Sequence, residues 1–213
     1  MPFVLRLKDG YGLDDHLLRP TQAQAGAVAA YRRDKTGPLS SGLLEMVGFP
    51  RIDERLEKYE AYREAKAANG GADPFGPGGQ PHFELDFVPM FSSAFQWHYP
   101  TPPSGSSLTT IVDLLRPLSK GEVKLNSANP LQQANINLNF FGNDLDILAM
   151  REGVRWTYDV LTKGAGIKDV VTGDYPWEMP IHSDEAMNKV VLERSQTGFR
   201  ESRLPSNIVL NSI

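Results

Sequence analysis

Residues 82–91 read HFELDFVPMF. Phe83, Leu85 and Phe87 alternate with His82, Glu84 and Asp86, so the period is two. That pattern predicts a β-strand with one apolar and one polar face. Working outward, YPTPPSGSS (99–107) is rich in turn formers, and LTTIVDLLRP (108–117) reads as a mostly apolar strand. GEVKLNS (121–127) alternates again, with Val123 and Leu125 against Glu122, Lys124 and Asn126. QANINLNFF (133–141) places Asn135, Asn137 and Asn139 at every second position, with Ile136 and Leu138 between them. Asparagine is a poor strand former, so three in one strand need an explanation. Four candidate strands thus lie between 82 and 139.

Helical patterns flank them. TQAQAGAVAAYRRDK (21–35) has Thr21 as N-cap and basic residues in its last turn. RIDERLEKYEAYREAKAANGG (51–71) predicts one long charged helix stopped by Gly70-Gly71. ADPFGPGGQP (72–81) reads as a loop. NDLDILAMREGVRWTYDVLTKG (143–164) predicts a helix with an apolar stripe of Ile147, Met150, Val154 and Leu161. SDEAMNKVVLERS (183–195) predicts another, capped by Ser183. The expected fold is α+β: one domain over 1–213 with a mainly antiparallel sheet and helices packed on one face. Ile136, Leu138, Phe83, Leu85, Val123 and Leu125 are expected to face those helices. The asparagines and the His-Glu-Asp set are expected on the opposite face, toward water, a ligand or another domain.

Composition narrows the classes. The chain has 213 residues, no cysteine and a formal net charge of −4. Disulfide, thiolate-metal and cysteine-nucleophile chemistry are therefore excluded, and nothing points to nucleic acid or an anionic membrane. The sequence contains no apolar run of 18 residues and no secretory h-region, so a cytoplasmic location is the default expectation.

Several residue sets can carry chemistry. His82, Glu84 and Asp86 sit at i, i+2, i+4, about 7 Å apart along one strand face. They read either as a solvated face or as a proton-transfer group. A metal site there would have strained ligands, so no metal is expected. Asn135, Asn137 and Asn139 can orient an oxygenated substrate or stabilise an enolate, or can simply bond their neighbours. Phe95, Trp97, His98 and Tyr99 form an aromatic cluster that reads as a pocket rim or as core, and Trp177 carries the same two readings. His98 joins the proton-transfer candidates, and Phe141 joins the substrate-contacting set. Arg116 suits an anionic or carbonyl group, or a surface ion pair.

The stretch VDLLRPLSKGEVKLNSANPLQQANINLNFFGNDLDILAMREGVRW resembles the glucose-methanol-choline (GMC) flavin oxidoreductases. The resemblance rests on Pro117, Ser119, Gly121, Val123, Leu125 and Ser127, on Asn129-Pro130, on Asn135 to Phe141, and on Asp144 to Leu148. SDEAMNKVVLERSQTGF (183–199) is similar to the fungal branch with aryl-alcohol oxidases and versicolorin-type cyclases. RLKDGYGLDDHLLR and TGPLSSGLLEMVGFPR are similar to the start of that family's substrate domain. The likeness implies a substrate-binding domain whose polar sheet face walls the substrate cavity opposite FAD. The family's G-x-G-x-x-G is absent from this sequence. After TGF the sequence has Arg200 where the family carries the His of H-P-x-G-T.

The resemblance and these absences together imply a domain that binds no cofactor of its own. The first expectation is a cofactor-independent cyclase, dehydratase or isomerase, even a pericyclase, acting on a reactive polyketide-like intermediate. The alternatives are a non-catalytic binding domain, a substrate-domain subunit of a split FAD-dependent oxidoreductase, and a decayed fragment. A hydrophobic, polyoxygenated small molecule and a second copy in a homodimer are the expected partners.

Overall fold

The computed structural model describes residues 1–44, 46–92 and 99–198. Five strands form one sheet: β1 (Pro2–Leu7), β2 (Met46–Gly48), β3 (Phe83–Val88), β4 (Ser106–Leu114) and β7 (Val171–Tyr175). Their order is β2-β3-β4-β1-β7, and every pairing is antiparallel. Strands β5 (Glu122–Lys124) and β6 (Asn135–Asn137) pair only with each other, as a separate two-stranded ribbon. The helices are α1 (Gln22–Asp34), α2 (Asp53–Leu56), α3 (Glu60–Ala68), α4 (Asp144–Lys163) and α5 (Asp184–Arg194). The mixed α+β class with an antiparallel sheet is as the sequence indicates.

Alternation along the strands sets the core. Phe3, Leu5 and Leu7 of β1, Phe83 and Leu85 of β3, and Val112 of β4 share one cluster with Ala149, Met150, Val154 and Leu161 of α4 and with Met187 and Val191 of α5. Of the expected apolar stripe of α4, Met150, Val154 and Leu161 lie on its packing face, while Ile147 is half-buried outside this cluster. Helix and sheet meet at Gly153, where a Cβ would lie 2.5 Å from Cζ of Phe83. Only glycine permits that approach. Helix caps follow the sequence: Thr21, Asn143 and Ser183 each accept a backbone N–H from the first turn of their helix.

The structure corrects four expectations. The helix at 51–71 is broken into α2 and α3 around Glu57–Tyr59, with Leu56 and Tyr62 fully buried. Strands β1 and β7 add to the sheet, and β1 is near its centre. The segment holding Asn135 to Asn139 does not join the main sheet. Val123, Leu125, Ile136 and Leu138, expected against the helices, are 55, 80, 55 and 57% exposed.

Candidate functional site

The second face of the sheet is not an open polar wall. Strand β4 is buried without a break from Ser106 to Val112. A row of directly paired residues, Val88–Thr109–Val4–Tyr175, crosses four strands on this face. Val4 and Tyr175 cluster there with Phe91, Tyr99 and Leu18. The chain after β3 is stitched down by Thr109, whose hydroxyl donates to Met90 O at 2.8 Å and accepts from Ser92 N–H at 3.0 Å. Asp14 does the same from the helical turn at 14–18, accepting from Phe91 N–H at 3.0 Å and Ser107 N–H at 2.8 Å.

Carboxylates gather at one end of this face. Glu84 of β3 lies directly opposite Asp113 of β4, and Asp86 lies opposite Ile111. Glu84 is buried and Asp86 half-buried, so the solvated-strand reading is corrected for Glu84. The Met1 amine, its pKa lowered by burial and partly restored by Asp113, stands 3.8 Å from Asp113. The backbone at Gly198 passes over the same corner, close enough that a Cβ there would meet Asp113 Oδ2 at 3.2 Å. Asp113 escaped the sequence reading because it sits in an otherwise apolar run.

His82 is not part of that corner. It is fully buried, and its Nδ1 accepts from Ile52 N–H at 3.2 Å. A backbone N–H only donates, so the proton is on Nε2, which donates to Asp73 Oδ2 at 2.6 Å. The same oxygen accepts from Arg51 Nη2 at 2.6 Å, and Asp73 Oδ1 accepts from Phe75 N–H at 2.8 Å. Arg51 also bonds Asp53, at 2.6 and 2.9 Å. Asp53, Asp73 and His82 bring three ligand-type atoms within 4.8 Å of one another. The guanidinium of Arg51 already supplies the positive charge this pocket needs. Burial would raise the Asp73 carboxyl, but the bonds from His82, Phe75 N–H and Arg51 together hold it below the usual carboxylate range. The hub ties loop 72–81 to the start of β3; the interior placement of His82 corrects its expected exposure.

The remaining candidates are scattered. Arg116 lies across the same loop, its side chain packed over Gly76 at φ +137°. Phe141 packs partly into the main core with φ +56°. Asn135 is exposed, Asn137 Oδ1 accepts from Asn139 N–H at 3.1 Å, and Asn139 Nδ2 donates to Lys120 O at 3.0 Å. Phe95, Trp97 and His98 lie outside the described residues. Tyr99 and Trp177 meet edge to face at 5.3 Å, with the Arg194 guanidinium over both rings. On the helical side, Arg55, Arg155, Asp159, Lys163, His182 and Asp184 line a cleft of about 360 Å³, crossed by ion pairs of Arg55 and Lys163 with Asp159 and of Arg155 with Asp184. Among the described residues, no helix is long and apolar enough to cross a membrane.

Nor does a dinucleotide cradle fit the described residues. The glycine-rich loop 72–81 follows α3 and leads into β3, whereas a pyrophosphate site needs a strand before the glycines and a helix N-terminus after them.

Comparison with known proteins matches this geometry. A family model for the C-terminal part of GMC oxidoreductases matches residues 117–201. A formate oxidase of Aspergillus oryzae RIB40 is 64% identical, superposes with a TM-score of 0.87, and covers 93% of this chain and 34% of its own. A pyranose dehydrogenase of Leucoagaricus meleagris is 29% identical over 173 residues, which is 77% of this chain and 26% of that protein. A fungal aryl-alcohol oxidase at 18% identity and TM-score 0.56 shares the fold, covering 88% of this chain and 35% of its own. The chain therefore spans about a third or less of these relatives. It carries the C-terminal, substrate-binding-domain fold of the GMC oxidoreductases, which it resembles across most of its length.

Proposed function

We propose that this chain supplies the substrate-side wall of an FAD-dependent GMC oxidoreductase acting on a small oxygenated compound of the formate class. The observation that carries this reading is the 64% identity, at a TM-score of 0.87, to a formate oxidase across 93% of the chain. The packed second face agrees with it. A sheet buried along β4 from Ser106 to Val112 suits a substrate of a few atoms better than a polycyclic one. Oxidation needs an electron acceptor, which a flavin supplies when bound. This chain's residues would shield the reacting centre from water and hold the carboxylate corner of Glu84, Asp86 and Asp113 in place.

The test is a chimera in which residues 1–198 replace the matching third of the Aspergillus oryzae formate oxidase. Formate-dependent turnover within about tenfold of the parent enzyme supports the reading. A folded, flavin-loaded chimera that ignores formate refutes it.

A second reading keeps the cofactor-independent cyclase, dehydratase or isomerase. The facing carboxylates Glu84 and Asp113 favour it, since proton transfer needs no electron acceptor. Comparing metabolites with and without the protein separates the two. A product differing by water or by isomerism supports the second reading, and one differing by two hydrogens supports the first.

A further inference from the structure

The cleft on the helical side is built from cations that outnumber their partners. Arg55 of α2, Arg155 and Lys163 of α4, and His182 just before α5 meet there around Asp159 and Asp184. Beside them, Arg151 reaches Asp184 at 3.2 Å and Glu152 at 3.4 Å. Arg55, Arg151, Arg155 and Lys163 thus share only the carboxylates of Glu152, Asp159 and Asp184. The chain as a whole has a net charge of −4, so this positive surplus is local.

The donors are not used up. Both carboxylates that reach Arg155 meet the same nitrogen, Nη1, with Glu152 at 2.9 Å and Asp184 at 2.6 Å. Its Nε has no partner among the described residues, and its Nη2 donates no hydrogen bond among them. A guanidinium carries its N–H groups as a fork that suits two oxygens of one anion. The cleft it lines, at about 360 Å³, has room for a small organic molecule.

Asp184 is the replaceable partner. Its side chain is 57% exposed, against 7% for Glu152 and 27% for Asp159. It sits in the first turn of α5 and reaches back to Arg151 and Arg155. An exposed ion pair adds little stability, so a competing anion can displace it at small cost. With Asp184 turned outward, the same cations face only Glu152 and Asp159, and the local surplus doubles. A monocarboxylate would leave half of that surplus uncompensated. A phosphate monoester carries about −1.5 to −2 charge at pH 7 and presents three acceptor oxygens, which suits it.

We infer that the cleft between α2, α4 and the start of α5 binds a phosphate group, free or carried on a small ester, held by Arg55, Arg155 and Lys163 in exchange for Asp184. The site lies on the helical side and stands independently of the function proposed above.

The test is equilibrium dialysis of the chain against labelled inorganic phosphate, with ionic strength held constant by chloride because salt screens exposed charges. Saturable uptake of about one phosphate per chain is expected, with no comparable uptake of acetate. Lys163 is 69% exposed, so Lys163→Gln leaves the fold intact, and it is expected to weaken binding about tenfold. Asp184→Asn removes the competing carboxylate and is expected to tighten binding about tenfold, which a merely structural ion pair would not do. Lys189→Gln, at an exposed position of α5 outside the cleft, should leave affinity unchanged. Absence of saturable uptake overturns the inference. Equal weakening by Lys163→Gln and Lys189→Gln also overturns it, since that is general surface attraction. So does an Asp184→Asn chain that melts like the parent and binds no tighter. Competition with glycerol 3-phosphate then identifies the occupant: an ester if it displaces the label at lower concentration than unlabelled phosphate does, the free ion if it does not.

Discussion

His82 and Asp73 form a buried pair in which the ring nitrogen Nε2 donates to the carboxylate across 2.6 Å, while Ile52 N–H fixes the tautomer from the other side. Because Arg51 and Phe75 N–H also reach Asp73, one side chain secures the loop at 72–81. Asp73→Ala strips partners from a buried imidazole and a guanidinium. A loss of about 2–4 kcal/mol is expected, measured as a lower urea midpoint at unchanged slope.

The same pair sets a pH dependence. The folded-state pKa of Asp73 is depressed, so its stabilising contribution is complete above the unfolded carboxylate pKa of about 3.9 and is lost as pH falls through the lower folded value. Asp53 acts in the same direction, mainly through its bond from Arg51. Urea midpoints for the wild type should fall below about pH 4, and the Asp73→Ala chain should show a shallower acid dependence. Equal acid dependence in both would remove Asp73 from this role.

Gly153 is where α4 lies against the ring of Phe83. Gly153→Ala gains about 1 kcal/mol of helix propensity but forces a Cβ into a 2.5 Å contact with a fully buried ring. Overpacking typically costs about 1–3 kcal/mol, so a net loss of up to about 2 kcal/mol is expected. Thermal unfolding followed by circular dichroism checks it, and a stabilised variant would mean that the helix can move away at no cost.

Asp146→Asn should loosen the ribbon more than the core. It weakens the acceptor of two backbone N–H groups and of the Ser119 hydroxyl. Hydrogen exchange over 118–142 should accelerate by an order of magnitude or more, while amides of β1 and β4 keep their protection. Uniform acceleration across the sheet would contradict a local anchoring role.

The sequence was legible where one physical signal dominated. Capping residues and the 3.6-residue stripe placed α4 and α5, and the period of two placed β3. It misled where alternation alone was used to choose a side. Val123, Leu125, Ile136 and Leu138 alternate like core residues, yet nothing in the described part of the chain covers them. Periodicity reports two faces, not which of them is buried. His82 looked like a member of a polar face because its partner Asp73 lies in a loop nine residues earlier, a contact no strand pattern encodes. Strand β1 was passed over because its short run, PFVLRL, has no neighbouring element to pair with in sequence; β4 is about a hundred residues away.

The central claim is that this domain provides the wall beside the flavin and that the flavin itself is held elsewhere. The most direct measurement is flavin bound per polypeptide, read from absorbance, for the isolated chain and for the formate oxidase chimera carrying it. Expected values are none for the isolated chain and about one for the chimera. Stoichiometric flavin on the isolated chain, or none on a folded chimera, would contradict it.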